Sequence, residues 1–518
     1  MRRISLTLLA VVSAACASAP VRPQDQVWLD RAAGWVSDGC YDCLLEARET
    51  YTRLAVGRAR PLVLPRLLET ELLIALRERE LAIDSAEAEA RALALAPELA
   101  AVLDVPRIMA LVRLMAPEPS GTPRSVARDQ SRLSTVNVQL RTLRTDAEWL
   151  MTSPLGEPAR SYLALSLHCA RQSQAPYPPG LLPYDDLRGW PASVPPLLVY
   201  RAAICTRIDL PVLERIRSEV PRFVEAGYRA ARIVVANVQQ RGNVGEARDQ
   251  VESLYARFAH SPAITYLYGS FNQLIGDSKA ALRYYEETLA IQPRHEDAML
   301  GRTVAFTFLR QDDEAIAAAT HMIDLATDNR ADAFYWRAWN RWSRKELVLA
   351  RADVEAAKAL RSNPDLHTLA GQIEHDQVDL DPAEADLRTA VDMSAGKGNC
   401  TADWYLGLVL MKRERWAETA GSFENAMNCY RVRVAASETA LAAVRAREDL
   451  DPDYRARQIV GFEAAIIEDR SQYHAAAFNA ANHFARAGDP DKARVLVEIA
   501  AVDPALADLV RQLRAILK

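Results

Sequence analysis

Gly276-Asp277-Ser278-Lys279-Ala280-Ala281-Leu282-Arg283-Tyr284-Tyr285-Glu286-Glu287-Thr288-Leu289 decides the fold. Gly can close one helix and Asp can cap the next. The apolar residues that follow recur at three- and four-residue intervals, the period of an amphipathic helix. Working outward, Gly269 stands twelve residues before Ala281, Tyr285 four after it, and Thr288 three after that. The same register of small residue, Ala, bulky residue and small or apolar residue returns at Thr303, Ala315, Ala319 and Met322, then at Ala338, Ala350, Val354 and Ala357. It returns again at Gly371, Ala383, Leu387 and Ala390, and at Gly407, Thr419, Phe423 and Ala426. One copy upstream reads Val235, Ala247, Val251 and Leu254, and one near the end reads Ala481, Ala493, Val497 and Ala500. From Val235 to Gly407 the first members lie 34, 34, 35, 33 and 36 residues apart, and the 74-residue gap to Ala481 leaves room for one irregular copy. So steady a period predicts an all-α solenoid of helical hairpins. Small residues let the paired helices cross closely, and the bulky residue fills the space this leaves.

Composition agrees. The chain's 518 residues are too many for one compact core but natural for a linear stack, in which each unit packs mainly on its neighbours. Half the residues are apolar and a quarter charged, and the formal charge is −5 without a basic block or stripe, which argues against a nucleic-acid partner.

The repeat resembles the tetratricopeptide repeat. That family's core of Gly, Ala five residues on, Phe or Tyr four further and Ala-Leu after three more is visible at 276–289, with Thr288 in the last Ala place, and its Leu-Gly pair is Leu406-Gly407. The resemblance covers residues 228–433, as six repeats, and 474–507. Met322 and Leu254 depart from it in place of a small residue, Ala319 in place of a bulky one, and Thr419 in place of Ala. It implies a right-handed superhelical α-solenoid whose first helices line a concave groove. Residues 27–227 read as an irregular helical region with Pro-rich linkers at 116–124 and 174–196. Residues 434–518 read as an irregular repeat, one further repeat and a capping helix.

At the N-terminus, Arg2 and Arg3 precede a short apolar run at 4–12, followed by Ser13-Ala14-Ala15-Cys16. This is a secretory signal, too short to be a permanent membrane span. Small residues before Cys16 resemble a bacterial lipobox, which implies acylation of Cys16 as the first mature residue, with 17–26 as a tether. The usual Leu three places earlier is replaced by Ser13, so ordinary cleavage after Ala17 stays open. Ala17 permits sorting to the outer membrane, and the expected location is that membrane, facing the periplasm, with the lipid as the sole membrane attachment.

Removing Cys16 leaves six cysteines in an exported chain. Cys400 begins the first helix of its hairpin and Cys429 ends the second, so antiparallel packing brings them together. Cys40 and Cys43 are a short-loop bridge or two free thiols, and Cys169 and Cys205 remain for each other by elimination.

Catalytic signals are thin. There is no HExxH, GxSxG or phosphate loop, the eight His show no metal-ligand spacing, and no cofactor is implied. Glu374-His375-Asp376 reads as a solvated turn. The candidate binding residues are aromatic: Tyr335, Trp339 and Trp342 share one face of a first helix at i, i+4 and i+7. Equivalent places in neighbouring repeats carry Tyr266, Gln372, His375 and Trp404, whereas Phe334 and Trp336 read as packing residues. The chain is therefore expected to be a non-enzymatic scaffold holding protein partners of the cell envelope in its groove. The alternative is a periplasmic module binding a glycan or small solute with the same rings.

Overall fold

The computed structural model describes residues 22–56, 59–81, 83–114, 149–170, 194–205, 210–238, 243–395 and 398–517. Among them the chain is helical, with no strand, and the fold is an all-α solenoid of helical hairpins. No described helix is long and apolar enough to cross a membrane. The signal segment and Cys16, the linker at 116–124 and most of 174–196 lie outside the described residues, as do the side chains of Cys169 and Cys205. Contacts divide the chain into two compact units, one of Met1–Ala236 with Asp249–Leu267 and one of Asn237–Arg248 with Tyr268–Lys518.

The first unit contains α1 (Pro23–Asp38), α2 (Tyr41–Leu54), α3 (Arg60–Glu80), α4 (Ala86–Ala94), α5 (Ala96–Leu99), α6 (Val105–Leu114), α7 (Ala159–Ala170), α8 (Pro196–Cys205), α9 (Leu210–Glu219) and α10 (Val224–Ala236). Its centre is polar. The Arg77 guanidinium is 1% exposed, stands 4.5 Å from the Tyr200 ring and 5.0 Å from the Tyr162 ring, and donates to the Gly39 carbonyl at 3.1 Å. It also pairs with Glu80 and Glu225, so one buried cation ties α3 to α10 and to the turn before α2. A buried charge is tolerated only when paired and hydrogen-bonded. At that turn Cys40 and Cys43 form a disulfide.

After α11 (Val244–Phe258) and α12 (Pro262–Leu274) come the clear hairpins: α13 (Ser278–Ile291), α14 (Glu296–Phe308), α15 (Asp312–Asp324), α16 (Arg330–Ser343), α17 (Leu347–Leu360), α18 (Pro364–Asp376), α19 (Leu380–Met393) and α20 (Cys400–Lys412). Each packs on the next, and the alternate helices α14, α16, α18 and α20 also touch in succession. The register residues meet as the repeat requires. A Cβ on Gly371 would stand 2.4 Å from Leu387, on Gly269 2.7 Å from Tyr285, and on Gly407 2.9 Å from Phe423, so these glycines are the space their bulky partners fill.

The turns repeat too. Gly276 has φ +83° and Asp277 caps α13 through the Ala280 N–H at 2.9 Å. The equivalent places in the next four repeats are Arg310, Lys345, Val378 and Glu414, with φ of 60°, 62°, 62° and 58°. Their intervals of 34, 35, 33 and 36 match the side-chain register, so the left-handed turn survives where the glycine does not.

The irregular copy expected after Gly407 is not a separate hairpin. The helix that opens as the second of its repeat, α21 (Trp416–Ala446), runs on for 31 residues, and α22 (Pro452–Arg486) returns for 35. Neither Gly nor Pro interrupts the first helix after Gly421, and Pro452 with an Asp451 cap on the Tyr454 N–H starts the second. The last turns of α22 then pair with α23 (Pro490–Ala500), where Ala481, Ala493, Val497 and Ala500 are buried together, and α24 (Ala507–Ile516) covers the end through Val510 and Leu513. Cys400 and Cys429 are joined by a disulfide, Cα to Cα 5.3 Å, across α20 and α21.

Candidate binding surface

α16 presents its aromatic residues as the i, i+4, i+7 spacing dictates. The Tyr335 and Trp339 centroids are 6.5 Å apart, and Trp339 and Trp342 are 5.5 Å apart, edge to face. All three are half-buried, resting on the cluster of Ala338, Val354, Leu369 and Ile373 with part of each ring open. Aromatic pairs in such geometry add stability beyond their buried area, so the row is a stiff surface.

The row continues onto the next repeat. Trp342 Nε1 donates to Asp376 Oδ2 at 2.9 Å, Lys345 Nζ lies 3.3 Å from the same oxygen, and His375 Nδ1 is 3.2 Å from Asp376 Oδ1. Burial works to raise the Asp376 carboxyl, but hydrogen bonds from Trp342, His375 and Lys345 hold it below its ordinary value. Burial pushes His375 down, against the opposing pull of Asp376. The His375 ring meets Tyr405 of α20 edge to face at 5.5 Å. Burial, then the Asp376 charge, raises the Tyr405 hydroxyl, which also bonds Gln372. Three successive first helices thus contribute to one connected row running Tyr335, Trp339, Trp342, His375 and Tyr405.

Glu374-His375-Asp376 is therefore not a solvated turn. All three lie on the last turn of α18, with Glu374 only 1% exposed, because the pattern of α18 buries Glu374 against α17 and α19. Trp404, at the place in its repeat that Tyr335 holds in its own, is half-buried, stands edge to face with Phe423 at 5.3 Å and packs on the C-terminal cluster. The ring beside His375 is that of Tyr405, one residue on. Tyr266 is half-buried on α12, in the first unit. Trp336 stands edge-on to Tyr335 at 5.2 Å, and Phe334 packs beneath the Arg337 guanidinium. Arg341 is not a free cation for a ligand: it shares the buried Asp353 with Arg337, at 2.6 Å from each.

A second feature lies beside α18. Carboxylate oxygens of Glu355, Glu374 and Asp386 come within 4.8 Å of one another, an arrangement able to hold a cation. The Lys358 ammonium supplies that charge, 2.9 Å from Glu355 and 2.7 Å from Asp386, and His367 Nδ1 is 2.6 Å from Asp386. These groups form an ion-pair network between α17, α18 and α19. Asp376 and Tyr405 are the residues of this surface that were not singled out as a site from sequence; the alternation of first helices every 33–36 residues was the available signal.

No family model matches the chain, and no curated protein matches it. Solved structures do. The chain is similar to Pseudomonas aeruginosa pilF, at 15% identity over 40% of this chain and 94% of that one, with a TM-score of 0.36. It is similar to YrrB, described as a TPR protein with an unusual peptide-binding site, at 14% identity over 35% of this chain and 91% of that one, with a TM-score of 0.30. The Cut9-Hcn1 assembly of the APC/C matches at 12% identity over 91% of this chain and 87% of that one, with a TM-score of 0.40.

Proposed function

We propose that this protein is a non-enzymatic scaffold of the bacterial cell envelope that holds a segment of a partner protein along the row from Tyr335 to Tyr405. The observation that carries the reading is the continuity of that row: rings from three consecutive first helices, half-exposed and locked together through Asp376. Rigid aromatic side chains on a preorganised surface are favoured contact residues because little side-chain freedom is lost on binding. The proposed location is the periplasmic face of the outer membrane, with Cys16 acylated. The Cys40–Cys43 and Cys400–Cys429 disulfides support an oxidising compartment, since such bonds persist mainly outside the reducing cytosol.

A photo-crosslinking residue in place of Tyr335 tests the partner. A protein adduct that disappears on Trp339→Ala supports the scaffold. Absence of any adduct, together with Trp339-dependent binding of peptidoglycan fragments, would replace it with the glycan-binding alternative. Cys16→Ser should move the chain from the membrane to the soluble fraction, and unchanged fractionation would remove the lipid anchor from the proposal.

A further inference from the structure

The second helices of the earlier repeats, α13, α15, α17 and α19, are 13 or 14 residues long, enough to pack on their neighbours. α21 gives its first turns to that task, with Phe423 and Ala426 buried and Cys429 bonded to Cys400, and then runs on. Beyond Tyr430 it and the returning α22 form a two-helix arm that the stacking of repeats does not require. Leu441 and Ile466 are buried within the arm, and Asp451 at its tip pairs with Arg248 at 3.1 Å. Both ends of the arm are therefore held.

One flank of the arm is patterned. On α21 it carries Ala435, Glu438, Ala442 and Arg445, and on α22 Val460, Glu463, Ile467 and Arg470. Steps of three and four place each set on one helix face. Two ion pairs across the arm, Glu438 with Arg470 and Arg445 with Glu463, put the two faces on the same side. Val460 is 65% and Ile467 70% exposed, both alanines are exposed, and the four charged side chains are about half-exposed. Scattered apolar residues on a surface need no explanation, but here they alternate with charges in a fixed order.

That order is self-complementary. With two copies flank to flank and α22 antiparallel to α22, Glu463 of each copy meets Arg470 of the other, and Val460 and Ile467 fill the space between. Parallel pairing would set Glu463 on Glu463 and Arg470 on Arg470, which repel. A two-fold axis joins the same patch of both copies, so one charge order serves both sides. The flank is roughly 25 Å long and two helices, roughly 20 Å, wide, or about 500 Å² per copy. A total of about 1,000 Å² is the lower limit for a specific interface, so the pairing is weak and reversible.

We propose that the arm joins two copies of this protein, antiparallel and flank to flank, through Val460 and Ile467 between reciprocal Glu463–Arg470 ion pairs. The aromatic row takes no part, so the proposal stands apart from the scaffold reading. Sedimentation equilibrium of the purified full chain tests it. The parent should pass from monomer to dimer at about 10 µM. Glu463→Arg and Arg470→Glu, each alone, set like charges opposite one another and should weaken dimerisation about tenfold or more. An equimolar mixture of the two variants restores opposite charges at both contacts and should dimerise within about threefold of the parent. Each variant also breaks an ion pair inside its own arm, and rescue by mixing separates the interface from that damage. A parent that stays monomeric up to roughly 200 µM, single variants that dimerise as the parent does, or a mixture that stays monomeric would overturn the proposal.

Discussion

The indole N–H of Trp342 donates to Asp376 Oδ2 across 2.9 Å, joining the first helices of two consecutive repeats. Asp376 also serves His375 and Lys345, so one carboxylate positions an aromatic ring, an imidazole and an ammonium. Asp376→Ala should lower stability by about 1–2 kcal/mol, the scale of a partly exposed hydrogen bond to a charged group, and shift the tryptophan emission. Because the Asp376 carboxyl is held below its ordinary value, its contribution is present above that value and is lost as pH falls through the depressed one. Urea unfolding of parent and variant should therefore converge in acid. A difference that persists there would contradict this account.

Trp339 and Trp404 should separate binding from folding. Trp339 rests half-open in the row, so Trp339→Ala should weaken capture of the partner about thirtyfold, equivalent to about 2 kcal/mol. Trp404 packs against Phe423 in the C-terminal cluster, and Trp404→Ala should cost about 3 kcal/mol of stability with binding per folded molecule unchanged. Melting and crosslinking yields measured on both variants decide the matter, and the reverse pattern would exchange their roles.

Val378 sits at φ +62°, where a β-branched residue is strained, while the corresponding Gly276 at +83° is not. Val378→Gly should raise stability by about 1 kcal/mol, the lower end of the left-handed penalty. Gly276→Val should lower it. A fall in the denaturation midpoint of Val378→Gly would show that its side chain contributes packing larger than the backbone strain.

Two glycines make an opposed pair. A Cβ on Gly371 would lie 2.4 Å from Leu387 Cγ, whereas one on Gly421, inside α21, meets nothing within 4 Å. Gly371→Ala should cost about 1–3 kcal/mol through overpacking. Gly421→Ala should gain about 0.5–1 kcal/mol by stiffening the unfolded chain and favouring the helix. Chemical denaturation that gave the two changes the same sign would invalidate the close helix crossing.

Glu374 titrates in the opposite sense to Asp376. Burial, and then the neighbouring Asp386 charge, raise its carboxyl to about 7 despite Arg351 and Lys358. The folded chain therefore binds this proton more tightly than the unfolded one. Its effect is to reduce stability as pH rises from the ordinary carboxylate value towards about 7. Glu374→Gln removes that titration, so its unfolding free energy should rise relative to the parent between pH 5 and pH 8, by an amount on the order of 1 kcal/mol. An offset that stays constant with pH would assign the effect elsewhere.

The sequence by itself determined the repeat unit. Gly371 and Leu387, or Gly269 and Tyr285, are sixteen residues apart and belong to one hairpin, so their complementarity follows from local helical geometry and a short turn. The same local reasoning placed Tyr335, Trp339 and Trp342 on one face of α16. What only the tertiary structure decided involves residues a whole repeat or more apart. Whether Trp404 or Tyr405 stands beside His375 depends on the rotation of α20 against α18, and Asp376 becomes the link only because α18 lies against α16. The length of α21 and α22 was hidden for a further reason: from 422 to 451 neither Gly nor Pro marks a boundary, and since the repeat also turns without either at Arg310, Lys345 and Glu414, where these two helices end was decided by packing and not by a local signal.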